Sequence, residues 1–100
     1  MKRLYVVVRA DLPAGLQLAQ ACHATREFGL RHPEVDVGDN LVVLHVPGEA
    51  ELRRIVDAAG EALPVAPFFE PDLGGEMTAA AFPFSARPLV SSLPLAMRPG

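Results

Sequence analysis

The chain has 100 residues, half of them hydrophobic, with 21% charged and a formal net charge of −3 at pH 7. That length supports one core, hence a single domain over 1–100, and the apolar content excludes a disordered chain. The acidic balance removes the broad basic surface of a general nucleic-acid binder, so any phosphate-binding site must be a local patch.

The first apolar run, 4–8, is β-branched and aromatic without alternation, the pattern of a central strand covered on both faces. Only about five apolar residues follow Lys2 and Arg3 before Arg9 and Asp11, too few for a secretory signal, so the expected location is the cytoplasm. Arg9-Ala10-Asp11-Leu12-Pro13-Ala14-Gly15 turns the chain into a helix expected over about 16–30, which His32-Pro33 ends. A polar loop over 34–40 leads to a second apolar run, 41–46, read as a second buried strand. Both runs fall far short of the roughly 20 residues that a membrane helix needs.

Over 49–62, Ala50, Leu52, Ile55, Val56 and Ala59 recur at helical spacing, with early glutamates and later arginines that suit the helix dipole. Residues 65–69 read as a third strand, placed at a sheet edge because Pro67 cannot donate to a ladder. A turn over 70–75 precedes a fourth strand, 77–82, whose small residues let a helix pack closely. From Pro83 onward the chain reads as irregular, with a last helical turn near 89–93. The expected fold is therefore α/β: a small mixed four-stranded sheet, in chain order βαβαββ, with helices packed on it. The first two strands should be parallel, with Arg9, Asp11 and the helix start near Gly15 at their carboxyl edge.

Two constellations carry candidate chemistry. On the first helix, Gln20 and His23 are three apart and share a face, which Glu27 continues. The residues alone leave two readings open: a surface or self-satisfied polar pair, or an acid–base site built on the imidazole. The second is Glu70-Pro71-Asp72-Leu73-Gly74-Gly75-Glu76-Met77-Thr78, which is longer and more charged than a simple hairpin demands. It reads equally as a solvated loop with Asp72 capping its own turn. Cys22 is the lone cysteine, so no internal disulfide forms, and its alanine neighbours suggest a buried small hydrophobe. His23, His32 and His45 show neither HExxH spacing nor a cysteine pair, so no metal is expected. The serines lack a GxSxG elbow, and no Walker or dinucleotide glycine pattern is present, so no cofactor is expected.

The run Val6-Val7-Val8-Arg9-Ala10-Asp11-Leu12, Gly15, then Ala19-Gln20 and His23-Ala24, resembles the opening strand, turn and first helix of the type II peptidyl-tRNA hydrolases. Asp72, Gly74 and Thr78 are similar to that family's aspartate loop and the threonine of its final strand, in the same order along the chain. The resemblance spans roughly residues 2–84. It implies hydrolysis of the ester joining a peptide to the terminal ribose of tRNA, in translation and ribosome rescue, with peptidyl-tRNA as partner. It implies His23, Asp72 and Thr78 as catalytic residues: Asp72 orients or deprotonates a water, His23 is the alternative base or the donor to the leaving oxygen, and Thr78 holds the water or substrate carbonyl. Arg9, Asp11, Gly15, Gln20 and Arg26 are implied on the substrate-binding side, with Asp11 fixing Arg9 or the turn. On this reading Glu70 and Glu76 are peripheral charges.

The chain departs from that family in one chemically important way. The family's loop between the glycine and the helix carries lysines, whereas this chain has Leu16-Gln17-Leu18 and no lysine after Lys2. Arginines such as Arg9, Arg26 or Arg87 then supply the positive charge, or the activity is reduced, redirected or lost. The alternative is a non-catalytic relative acting as an RNA- or ligand-binding module. A third reading is an interaction protein, a homodimer joined through the apolar tail over 89–97.

Overall fold

The computed structural model describes residues 2–98, and among these the elements follow the expected order. Strand β1 (Arg3–Arg9) leads to helix α1 (Ala14–Arg31), strand β2 (Asn40–Val46) and helix α2 (Glu49–Ala59). Strand β3 (Ala66–Glu70) then passes through a short 3-10 turn (Pro71–Leu73) into β4 (Glu76–Phe82). A second 3-10 turn (Phe84–Ala86) and helix α3 (Arg87–Val90) follow. The four strands make one mixed sheet in the order β2-β1-β4-β3. β1 and β2 are parallel, as expected for strands joined through a helix, and β4 runs antiparallel to both β1 and β3.

Helix α1 covers one face, packing Ala21, Ala24 and Phe28 on Leu4, Val6, Val8, Ala79 and Ala81. Helices α2 and α3 cover the other, with Leu52, Ala59 and Val90 against Tyr5, Val7, Leu44, Ala80 and Phe82. The central strands β1 and β4 are therefore buried on both sides, which explains why β1 shows no polar alternation. The alanines of β4 keep that surface low, so α1 settles close to it.

Three expectations about elements are corrected. Strand β2 is an edge strand and not a buried one: Leu41 is largely exposed, because β2 has a full-length neighbour only in β1. An apolar run does not reveal how many neighbours its strand has. Helix α1 begins two residues before Leu16, with Pro13 at its N-cap accepting from the Gln17 N–H. Helix α2 stops at Ala59 and not at Ala62, because Gly60 takes φ +59° and its N–H closes onto Val56 and Asp57.

The tail packs on its own domain. Val90 is buried, Leu89 and Leu93 are half-buried, and Leu95 bridges to Leu44 along the outer edge of β2. His45 donates to Pro94 and Ala96 donates to Val43, so this strap covers backbone groups that an edge strand otherwise leaves open. Leu95 and Met97 stay exposed on the strap. No helix among the described residues is long and apolar enough to cross a membrane.

Candidate functional site

The carboxyl ends of β1, β2 and β3 meet the start of β4 along one rim of the sheet, and the polar residues gather there. Arg9 closes β1 on the α2 side. Its guanidinium donates to both carboxylate oxygens of Asp11, at 3.0 and 2.8 Å, and to Glu76 at 2.7 Å, with a fourth bond of 3.3 Å to the Met77 carbonyl. Its side chain is almost fully buried, while Asp11 and Glu76 are about half exposed. The bond from Arg9 is the main reason the Asp11 carboxyl sits below its usual range, and the same pairs keep Arg9 charged throughout the accessible pH range. Asp11 thus fixes Arg9, as expected. Nearby, Glu49 accepts the Met77 N–H at 2.7 Å, which draws its own carboxyl below the ordinary value.

On the α1 side the geometry depends on a β-bulge. Phe68 pairs with Ala79 and Phe69 with Met77, so Thr78 has no partner on β3. The extra residue resets the alternation: Met77 packs toward α2, whereas Thr78 points at α1 and Ala79 packs there too. The Thr78 hydroxyl donates to Gln20 Oε1 at 2.6 Å, and Gln20 Nε2 donates to Glu70 Oε1 at 2.9 Å. Thr78 is 0% and Gln20 1% exposed. The hydroxyl proton is committed to Gln20, so Thr78 meets neither solvent nor a substrate carbonyl directly and acts by holding Gln20 in place.

Asp72 lies on the exposed 3-10 turn that follows Glu70, and its backbone N–H donates to Glu70 Oε2 at 3.5 Å. Gly74 and Gly75 both adopt positive φ, +64° and +78°, and the Gly75 N–H closes the turn on the Glu70 carbonyl at 2.9 Å. Two successive left-handed residues are expensive for any side chain bearing a Cβ, which is why this connection carries a glycine pair. His23, one turn along α1 from Gln20, is exposed and stacks on Phe68 with ring centres 4.7 Å apart and planes at 15°.

Gln20, Thr78, Glu70 and the Asp72 turn therefore form one bonded chain, and His23 stands on the same face of α1 against β3. Arg26 is not brought to them: it lines an apolar groove with Leu18, Cys22, Leu41 and Val43, on the β2 side of α1. Cys22 is exposed in that groove and not buried, because it falls on the flank of α1 turned from the sheet centre. Gly15 is exposed in the first turn of α1 with open space around it, so nothing in the packing demands glycine there. Glu27 pairs with Arg31 at 2.8 Å. Arg53, on α2, bonds Glu49 and lies over the Phe69 ring.

Glu70 and Glu76 are the residues that sequence reasoning misplaced, since both are structural partners and not peripheral charges. Gln17 was also missed: it is buried, and its amide donates to the Leu12 carbonyl at 2.6 Å, closing the turn into α1. The signals were present only as polar residues inside apolar stretches. The side-chain partners of Glu70 and Glu76 lie 50 and 67 positions away, at separations that no local pattern reports. Gln17, by contrast, bonds only five residues back and could have been read as closing the turn.

No protein-family model and no curated protein matches the chain. Among solved structures it is similar to a protein of unknown function from Agrobacterium tumefaciens strain C58, with a TM-score of 0.73 and 12% identity over 93% of this chain and 96% of that one. At that identity the likeness concerns the fold alone.

Proposed function

We propose that the protein hydrolyses the ester of peptidyl-tRNA in the cytoplasm, with Asp72 and His23 as the groups that handle protons. The observation that carries the reading is the bonded chain Thr78–Gln20–Glu70 leading to the Asp72 turn, with His23 one turn along α1 from Gln20 and stacked on Phe68 of β3. A polar network of this kind holds Gln20, Thr78 and Glu70 in one arrangement, and it supports the reading by tying the start of the Asp72 turn to the helix that carries His23.

In the reaction a water oxygen attacks the ester carbonyl carbon and its proton passes to the Asp72 carboxylate. The tetrahedral intermediate then breaks its bond to the ribose oxygen, which takes a proton from the imidazolium form of His23. Asp72 afterwards gives its proton to solvent and the imidazole takes one back, restoring both groups. Ester hydrolysis begins from an activated carbonyl, so the protein must orient a water, accept its proton and stabilise the developing oxyanion. Thr78 and Gln20 serve as positioning residues, and no metal or cofactor takes part in this scheme.

A specific observation favours the second reading, a ligand-binding module. Asp11, Glu49, Glu70, Asp72 and Glu76 crowd the rim, and Arg9 is neutralised by two of them. Such a rim repels phosphate and suits a neutral or cationic ligand. A peptide-release assay on peptidyl-tRNA, wild type beside Asp72→Ala, decides between the two. Release by the wild type and its loss in the variant supports the hydrolase; no release by the wild type sinks it and leaves the module.

A further inference from the structure

We infer that Glu70 is the positioning residue of this site, joining the Asp72 turn to helix α1; the inference rests on the hydrolase reading. Its two carboxylate oxygens are divided between two elements. Oε1 accepts from Gln20 Nε2 of α1 at 2.9 Å, and Oε2 accepts from the Asp72 N–H at the start of the 3-10 turn at 3.5 Å. No other side chain among the described residues bonds both α1 and the turn that carries Asp72.

The consequence follows from donor and acceptor inventories. With Gln20 Nε2 given to a carboxylate, the amide cannot flip, because a flipped amide would set its oxygen against the Glu70 carboxylate, whereas the Thr78 hydroxyl could serve either end of the amide. Glu70 therefore determines that Gln20 offers its oxygen to Thr78, and so determines the direction of the Thr78 hydroxyl. The other oxygen sets where the Asp72 turn begins. Pro71 and the bond from the Gly75 N–H to the Glu70 carbonyl at 2.9 Å shape the turn itself, and the Oε2 cap on Asp72 ties its start to the side chain that is bonded to α1. Glu70 touches no substrate in this scheme. It acts through Asp72 and Gln20.

The test is a double-mutant cycle in the release assay, with kcat and KM measured separately for Glu70→Ala, Asp72→Ala and the double variant. Glu70→Ala is expected to lower kcat by between about tenfold and a hundredfold with KM within about twofold of wild type, since misplacing a reacting group by an ångström costs on that order. Adding Glu70→Ala to Asp72→Ala should cost nothing more. Glu70→Gln should recover part of kcat, because its amide oxygen still accepts from Gln20 while the cap on Asp72 is weakened. It also serves where the alanine variant folds poorly. Independent, multiplying losses, or an unchanged kcat in Glu70→Ala, would overturn the inference. If the wild type releases no peptide, the hydrolase reading fails on its own. The Glu70 role is then read from the Gln20 side-chain amide resonances: displaced in Glu70→Ala they uphold it, and unmoved they overturn it.

Discussion

Thr78 donates to Gln20 Oε1 at 2.6 Å across 58 positions of sequence, and neither side chain is more than 1% exposed. The bond ties β4 to α1 at the bulge, so losing one partner leaves the other buried without its mate. Thr78→Val keeps the shape and removes the donor. It is expected to lower unfolding free energy by about 1–3 kcal/mol, the range for an orphaned buried acceptor. Denaturant titration measures this. Thr78→Ser should retain most of the stability, and Gln20→Leu added to Thr78→Val should cost less than the two single losses summed. Additive losses would mean that the two side chains act independently.

Acid should loosen the rim. Asp11 and Glu49 have depressed pKa values in the fold, the first chiefly through Arg9 and the second chiefly through the Met77 N–H. A depressed folded value means that the stabilisation is fully present above the unfolded carboxylate range near pH 4, and is lost as pH falls through the lower folded value. Stability should therefore decline progressively below about pH 5. Asp11→Asn should have lower stability at neutral pH and a shallower decline in acid, read by thermal melts across pH 2–7. A decline as steep as that of the wild type would remove Asp11 from the account.

Binding of tRNA should be weak and only mildly salt-dependent. Arg9 is held by Asp11 and Glu76, Arg53 by Glu49 and Arg31 by Glu27. Arg26 remains exposed on α1, apart from the carboxylate rim. With one to three phosphates met, log affinity against log salt should slope between about −1 and −3. Arg26→Ala should flatten it by about one, whereas Arg9→Lys should change it little. A slope steeper than about −5 would require a basic surface that the charge pairs here do not provide.

The tail should be part of the folding unit. Cutting the chain after Phe84 removes Val90, Leu89 and Leu93 from the α2 face and the strap from the edge of β2. The expected loss is more than about 3 kcal/mol, with faster proteolysis and a mass in light scattering that rises as β2 edges pair. A truncated chain with the wild-type melting temperature and a monomer mass would show the tail to be dispensable.

Much of the fold was legible for a local reason. The β1 run, the helical spacing on α2, Pro67 on an edge strand and the small residues of β4 each express a constraint carried by neighbours in sequence. The site was legible only in part. Gln20, His23, Asp72 and Thr78 stand out as polar residues in apolar or glycine-rich contexts, but their connections do not. Asp11 is legible as a partner of Arg9 two residues on, but the second partner, Glu76, appears only once β4 lies beside β1.

Composition and periodicity by themselves determined the α/β class, the order of the elements and that β1 would be covered on both faces, while the same apolar pattern wrongly buried β2. These follow from apolar spacing and from the turn chemistry of proline and glycine. Tertiary structure alone decided that β2 lies at an edge, that a bulge turns Thr78 toward α1, and that Glu70 and Glu76 are partners and not bystanders. Each of those depends on which strand lies beside which and in what register, and the register between β3 and β4 shifts by one residue at the bulge. With a side-chain period of two, that single step decides which face of the sheet a residue serves.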